Sequence, residues 1–308
     1  MLAMVAVPAG IALHTIREAA ISNISSADPT PYGYTWSLLL FVVPIVVIGS
    51  WFLPSQAVRI PKCAFWITIS VLVPLGFGLD FFFANRFFTF RNAGATLGIR
   101  APALGGGVPV EEYVFYFTGF IAILLIYIWV DEYWLAAYKV PDYAAEARQI
   151  PQLLKFHPSS VVVGLALIGA GTLYKKLRSS CPEGYPGYFI TLVIGGLIPS
   201  AGFFPTARRL INWRAFSLTL FIILLISLFW EATLAVPYSW WGYNRKQMTG
   251  LFIGAWAELP IEAVTVWIAV SYGTMIVFEI VKLWLASGKS ARSALLGEPA
   301  RGESAAKK

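Results

Sequence analysis

The chain has 308 residues, of which 58% are hydrophobic and 13% charged, and carries a formal charge of +7. With a mean hydropathy of +0.69, that balance excludes an ordinary soluble domain and points to an all-α integral membrane protein of several spans. The positive charge does not indicate nucleic acid, because the basic residues are scattered over short loops and the C-terminal tail, where they suit anchorage to anionic membrane lipid.

In chain order, residues 1–35 form an N-terminal segment that opens on an apolar stretch too short to cross. No basic region precedes it, so it reads as an interfacial helix and not as a signal peptide. Windows of about 20 apolar residues then predict seven transmembrane helices near 36–53, 63–84, 109–130, 159–174, 187–204, 215–236 and 259–281. The fourth is the shortest and is rich in glycine. The divisions that follow are a first repeat over 36–135, a linker with a connecting helix over 136–184, a second repeat over 185–286, and a tail over 287–308 whose Gly, Ser, Ala and Lys predict disorder.

A constant offset of 151 residues relates the two repeats. It carries Asp80 onto Glu231, Pro109 onto Pro260 and Glu111 onto Glu262, and it also matches Phe52 and Pro54 to Phe203 and Pro205, and Ala64, Phe65 and Thr68 to Ala215, Phe216 and Thr219. Four crossings separate each residue from its counterpart. The predicted fold is therefore two parallel three-helix repeats joined by a linking helix, related by an axis along the membrane normal, with the matched acids near one face. Cys63 and Cys181 then fall on opposite sides and cannot pair. The distribution of Lys and Arg favours a cytoplasmic C-terminus.

An ionisable group at membrane depth is costly and points to function. Asp80 and Glu231 sit at helix C-terminal ends, where the macrodipole opposes a negative charge. Glu111 and Glu262 follow prolines that suit a helix first turn, so each is expected to face the end of the preceding helix. For Glu112 and Glu258 taken singly, complementing a helix dipole, worth about 0.3–1 kcal/mol, is an equally good account. Because burial disfavours the charged form, at least one acid per repeat is expected to hold its proton near neutral pH, and a neighbouring acid would split the titration. Such a pair can donate a proton at one carbon and remove one at another. Aromatic residues crowd these acids, among them Phe83, Tyr113, Phe115, Trp230, Trp241, Trp256 and Trp267. An interfacial belt explains most of them, yet their faces would also stabilise a carbocation by about 0.5–2 kcal/mol each once water is excluded.

The segment Val108-Pro109-Val110-Glu111-Glu112-Tyr113-Val114-Phe115 resembles the P-x-E-E-x-x-F motif of the heterodimeric-type lycopene cyclases, membrane-integral and flavin-independent, in the form that fuses both halves in tandem. The second copy, from Pro260 to Val266, has Ala263 in place of the second Glu and Val266 in place of Phe. The resemblance covers about residues 36–285. It implies a redox-neutral isomerase, a lycopene β-cyclase that converts the ψ ends of lycopene, through γ-carotene, into the β-ionone rings of β-carotene. Lycopene would enter from the bilayer of a prokaryotic plasma membrane, with room for association with other enzymes of carotenoid synthesis. Glu111 is expected as acid or base, Glu112 as its partner, and Asp80, Glu231 and Glu262 as contributors.

No dinucleotide cofactor is expected, since the glycine clusters Gly76/Gly78 and Gly105–Gly107 lie in or beside membrane helices rather than after a strand. No metal is expected either, because His14 and His157 are isolated. The rivals are another carotenoid or terpene cyclase or hydratase using the same carbocation chemistry, and a transporter of three, one and three helices, whose midplane polar groups the sequence lacks. A seven-helix retinal protein is set aside because the last span, taken to end at 281, holds no lysine for a Schiff base.

Overall fold

The computed structural model describes residues 31–56, 60–140, 143–254 and 256–297. The expected interfacial helix falls largely on residues 1–30, which lie outside that set, as do His14 and residues 298–308. Among the described residues the protein is mostly helical, and seven helices are long and apolar enough to cross a membrane. They are α1 (Gly33–Phe52), α2 (Lys62–Phe87), α3 (Val110–Trp129), α5 (Pro158–Leu177), α6 (Gly187–Ala207), α7 (Trp213–Trp230) and α8 (Ile261–Ser287). Two short helices accompany them: α4 (Tyr143–Gln149) in the linker and α9 (Ala291–Leu296) near the C-terminus.

Each span is wound from residues that keep their backbone groups paired internally, which hydrocarbon demands. That demand tolerates Pro44 in α1, Pro74 in α2, and Pro199 and Pro205 in α6. Apolar side chains such as Leu40, Val47, Leu75 and Ile198 stand exposed on the outer surface, the reverse of a soluble bundle. Helix α8 is the hub and packs on α2, α3, α4, α6 and α7. The core between them includes Phe65, Ile123, Leu124, Met275 and Phe278. In lipid, contacts of this kind hold by close packing rather than by excluding water.

Two helices end in a π turn, α3 over Val130–Trp134 and α7 over Glu231–Ala235. The widened turns show in the Leu135 N–H donating to the Val130 carbonyl at 2.8 Å and the Val236 N–H donating to the Glu231 carbonyl at 3.1 Å. The long loops at one end carry two small hairpins. Arg100–Ala101 (β2) pairs with Val108–Pro109 (β3), and Phe252–Ile253 (β5) with Leu259–Pro260 (β6). Each hairpin feeds directly into a helix, α3 or α8. Strand β1 (Phe88–Thr89), which follows α2, pairs with β4 (Gly242–Tyr243), which follows α7, and so ties the two loops together.

Several boundaries depart from the sequence expectation. The glycine-rich span runs Pro158–Leu177, longer at both ends, and two of its glycines serve close packing: a Cβ on Gly164 would lie 2.8 Å from Leu197, and one on Gly171 2.6 Å from Phe189. Helix α8 continues past 281 to Ser287 and takes in Lys282. The tail is not wholly disordered, since α9 buries Ala294, and the Leu153 N–H donates to the Ala294 carbonyl at 2.8 Å. Cys63 and Cys181 are free, at opposite ends of the bundle as expected. Substituting Gly171→Leu should force α5 off α6 and destabilise the protein by about 1–3 kcal/mol. Thermal unfolding in detergent would register this, and an unchanged midpoint would show that the contact carries no weight.

Candidate functional site

All five expected acids, Asp80, Glu111, Glu112, Glu231 and Glu262, are buried at the end of the bundle that carries the hairpins. They differ in what they touch. Glu111, at the second residue of α3, accepts a hydrogen bond from the Thr35 hydroxyl at 2.6 Å and another from the Leu97 N–H at 2.7 Å. Glu262, at the second residue of α8, accepts from the Thr249 N–H at 2.6 Å. Each carboxyl thus fastens the loop before its own helix, rather than facing the end of the preceding helix as expected. Neither lines the small cavity or the apolar groove described below. Glu258, unlike these, is not in a first turn; it precedes β6, is exposed, and pairs with Arg245 at 2.6 Å.

Successive helical residues point about 100° apart, and this separates Glu112 from Glu111. Glu112 turns into a small cavity of about 50 Å³ between the two halves of the chain, and Glu231 lines the same cavity. The Tyr34 hydroxyl, at the start of α1, donates to Glu112 Oε1 at 2.6 Å. Glu231 opens the π turn after α7 and receives two donors: the Tyr243 hydroxyl on Oε2 at 2.5 Å and the Trp267 indole N–H on Oε1 at 3.0 Å. Pairing of β4 with β1 holds Tyr243 in place for that bond. Burial, reinforced by the nearby Glu231, pushes the Tyr243 phenol well above its ordinary value. It therefore remains a donor at any physiological pH.

With both oxygens accepting, Glu231 has the arrangement of a carboxylate held as an acceptor. Glu112 accepts one hydrogen bond among the described residues, which leaves it the freer of the two to carry and release a proton.

Four of the expected aromatic residues surround this pair. Phe115 stacks on Trp230 at 5.6 Å between centroids, meets Trp267 edge-on at 5.6 Å, and lies 6.3 Å from Trp241. The other three are elsewhere. Phe83 stacks on Phe87, the Tyr113 hydroxyl donates to the Pro102 carbonyl, and Trp256 packs on the core from the loop before α8. Asp80 is buried on α2, in electrostatic range of Glu112, with Oδ2 unpartnered among the described residues, and lines neither this cavity nor the groove beside it.

Phe115, Gly119 and Trp267 are walls shared with a much larger apolar groove of about 570 Å³. The groove is bounded by α1, α3 and α7 and reaches Trp51, Trp129 and Trp134 at the other end of the bundle. From Phe115 to Trp134, the helical rise of 1.5 Å per residue gives a length of roughly 28 Å. Of its few polar groups, the Thr118 hydroxyl donates to the Val114 carbonyl, and the Trp230 indole N–H has no partner among the described residues.

The cavity also involves tyrosines that the sequence reading did not single out as site residues: Tyr34, Tyr116, Tyr188 and Tyr243. A hydroxyl-bearing ring at the end of an apolar span, on the face that holds the acids, is the signal that could have found Tyr34. Gly105 and Gly106 form the turn between β2 and β3 with φ of 86° and 133°, which accounts for that glycine cluster. Lys282 lies in α8, so the absence of a lysine from the last span no longer argues against a retinal protein. The ammonium is instead engaged by Glu279, 2.8 Å away, at the end of the bundle remote from the carboxyl cavity. Among the described residues no three His, Cys, Asp or Glu side chains converge on a metal site.

Removing Glu111 or Glu262 as Ala should cost about 1.5–3 kcal/mol of stability, because each anchors a loop through charge-assisted hydrogen bonds. Glu111→Gln, which keeps a carbonyl acceptor, should lose less; equal unfolding midpoints for Glu111→Ala and wild type would contradict the anchoring role. Comparison with protein-family models, curated proteins and solved structures finds no match for this chain.

Proposed function

We propose that this protein is a carotenoid cyclase of the heterodimeric-type lycopene cyclase family in its fused form, acting as a lycopene β-cyclase. The observation that carries the proposal is the pairing of Glu112 and Glu231, one from each half of the chain, in a single aromatic-walled cavity that meets an apolar groove. The two hairpins that lead into α3 and α8, and the loop N–H groups taken by Glu111 and Glu262, support the reading of the halves as parallel repeats. In that reading the protein is multi-pass in a prokaryotic plasma membrane, with its C-terminus in the cytoplasm.

The groove is suited to a linear C40 polyene, which partitions from the same bilayer and needs no polar partner along its length. With one ψ end in the cavity, Glu112 gives its proton to the terminal double bond. The neighbouring alkene then attacks the tertiary cation and closes a six-membered ring. Loss of one ring proton to a carboxylate restores neutrality, so no electron leaves or enters and the product is an isomer of the substrate. Glu231, held by Tyr243 and Trp267, lies beside the cation as a fixed counter-charge. The faces of Phe115, Trp241 and Trp267, which line the cavity, add about 0.5–2 kcal/mol each where water is absent. The apolar lining of the groove argues against a sugar carrier, which would need hydrogen-bonding groups along its path.

Expression in a lycopene-accumulating host, followed by pigment chromatography, tests the proposal. Cyclic product is expected from the wild type, and Glu112→Gln should lower its formation by about 10²-fold or more, since the amide keeps the size but not the proton. Glu231→Gln should also be impaired, whereas Glu111→Gln should retain most activity at matched protein level. Unchanged lycopene with wild-type protein in the membrane would overturn the proposal. A hydroxylated acyclic product would assign the chain to the hydratases instead.

A further inference from the structure

At the end of the bundle opposite the carboxyl cavity, the π turn of α3, the start of α2, α4 and the last part of α8 border a cleft of about 460 Å³. Its polar wall consists of Asp131, Glu132, Lys139, Tyr143 and Lys282. Behind that wall, Glu279 receives two donors on one oxygen: the Lys282 ammonium donates to its Oε1 at 2.8 Å and the Tyr127 hydroxyl to the same oxygen at 2.9 Å. Asp131 is less well supplied. It is 3% exposed, and the ammonium groups of Lys139 and Lys282 stand 3.6 and 3.7 Å from its Oδ2. Those are ion-pair distances, longer than a hydrogen bond. Its Oδ1 is buried with no hydrogen-bond partner among the described residues. A buried carboxylate so poorly supplied with donors is costly in a folded protein.

The rest of the wall says what would supply them. Glu132 pairs with Lys139, whose side chain is 33% exposed and whose ammonium has three N–H groups to share. Burial chiefly pushes the Tyr143 phenol up to about 12, so it adds no negative charge. The cleft therefore presents one carboxylate with an orphan oxygen, Asp131, and a second, Glu132, with one oxygen on Lys139, next to a lysine that has N–H groups left for an anion. Among the described residues no three metal-ligating side chains converge, so an organic cation fits better than a metal ion. Tyr133 and Trp134, 61% and 59% exposed beside the cleft, have the character of an aromatic belt at headgroup depth.

We propose that this cleft binds a phospholipid headgroup carrying a primary amine, its ammonium donating to Asp131 and Glu132 and its phosphodiester taken by Lys139. A primary ammonium brings three N–H donors, whereas the quaternary ammonium of choline brings charge without any. The site thus discriminates by hydrogen bonding and not by charge alone.

The test is to reconstitute the full chain in nanodiscs of equal parts phosphatidylethanolamine, phosphatidylcholine and phosphatidylglycerol, and to identify retained lipid by native mass spectrometry. Phosphatidylethanolamine should be enriched over phosphatidylcholine on the order of tenfold, as expected for hydrogen bonds to a charged partner. The enrichment should fall away in Asp131→Asn and in Glu132→Gln. Competition with glycerophosphoethanolamine separates sources: displacement supports a site that reads the headgroup alone, and retention of the lipid supports one that also needs the acyl chains. Equal retention of the ethanolamine and choline lipids overturns the proposal, even if both variants fail to fold. Preference for phosphatidylglycerol, or enrichment that survives in both variants, does so as well.

Discussion

A carboxyl group taken from water into hydrocarbon is costly without hydrogen-bond donors, and the contacts of four of the five buried acids at one end of this bundle answer that demand. The donors come from distant parts of the chain: Tyr34 and Thr35 from the start of α1, Leu97 and Thr249 from the loops, Tyr243 from β4, and Trp267 from α8. Each bond therefore fixes a loop or a helix end relative to its neighbours. The acids are at once the reason for the local fold and the means of holding it. Without these partners a buried carboxyl would cost several kcal/mol, which few helix contacts in lipid could offset.

The same demand divides labour among the acids. Glu111 and Glu262 each give one oxygen to a loop N–H, the other oxygen being buried and without a partner among the described residues, whereas Glu112 and Glu231 face a shared space between the two halves. That space is small and aromatic, and its outer wall belongs to a groove that reaches the far tryptophans. Under the cyclase reading, binding and chemistry are separated: the groove holds a long apolar chain by partition, while the cavity receives only its end. The remote end of the bundle carries a different polar group, centred on Asp131, Glu279 and Lys282, which joins α3 to α8.

Much of this was legible in the residues. Runs of apolar side chains locate all seven long helices, and the acids in register at Asp80/Glu231 and Glu111/Glu262 mark the end where the buried carboxyls gather. The sequence does not show which of Glu111 and Glu112 points inward, because adjacent helical positions differ by a rotation that only packing resolves. The donors were hidden for a similar reason. The offset that pairs the acids carries Tyr34 onto Tyr185, which is exposed, while Tyr188 one turn later lines the cavity. Phe83, Tyr113 and Trp256 looked like site residues by proximity in the chain alone. Helix α9, short and polar on its flanks, has too weak a pattern to be read before Ala294 is seen buried against the linker.

Proton-initiated closure is the central claim, and the label carried by the product tests it most directly. Membranes containing the protein would be incubated with lycopene in deuterated buffer, and the cyclic product analysed by mass spectrometry and NMR. The account predicts a single deuterium per closed ring, at the carbon that receives the proton from Glu112. Cyclic product formed without deuterium would contradict it, because ring closure would then have begun by some route other than a carboxyl in exchange with solvent.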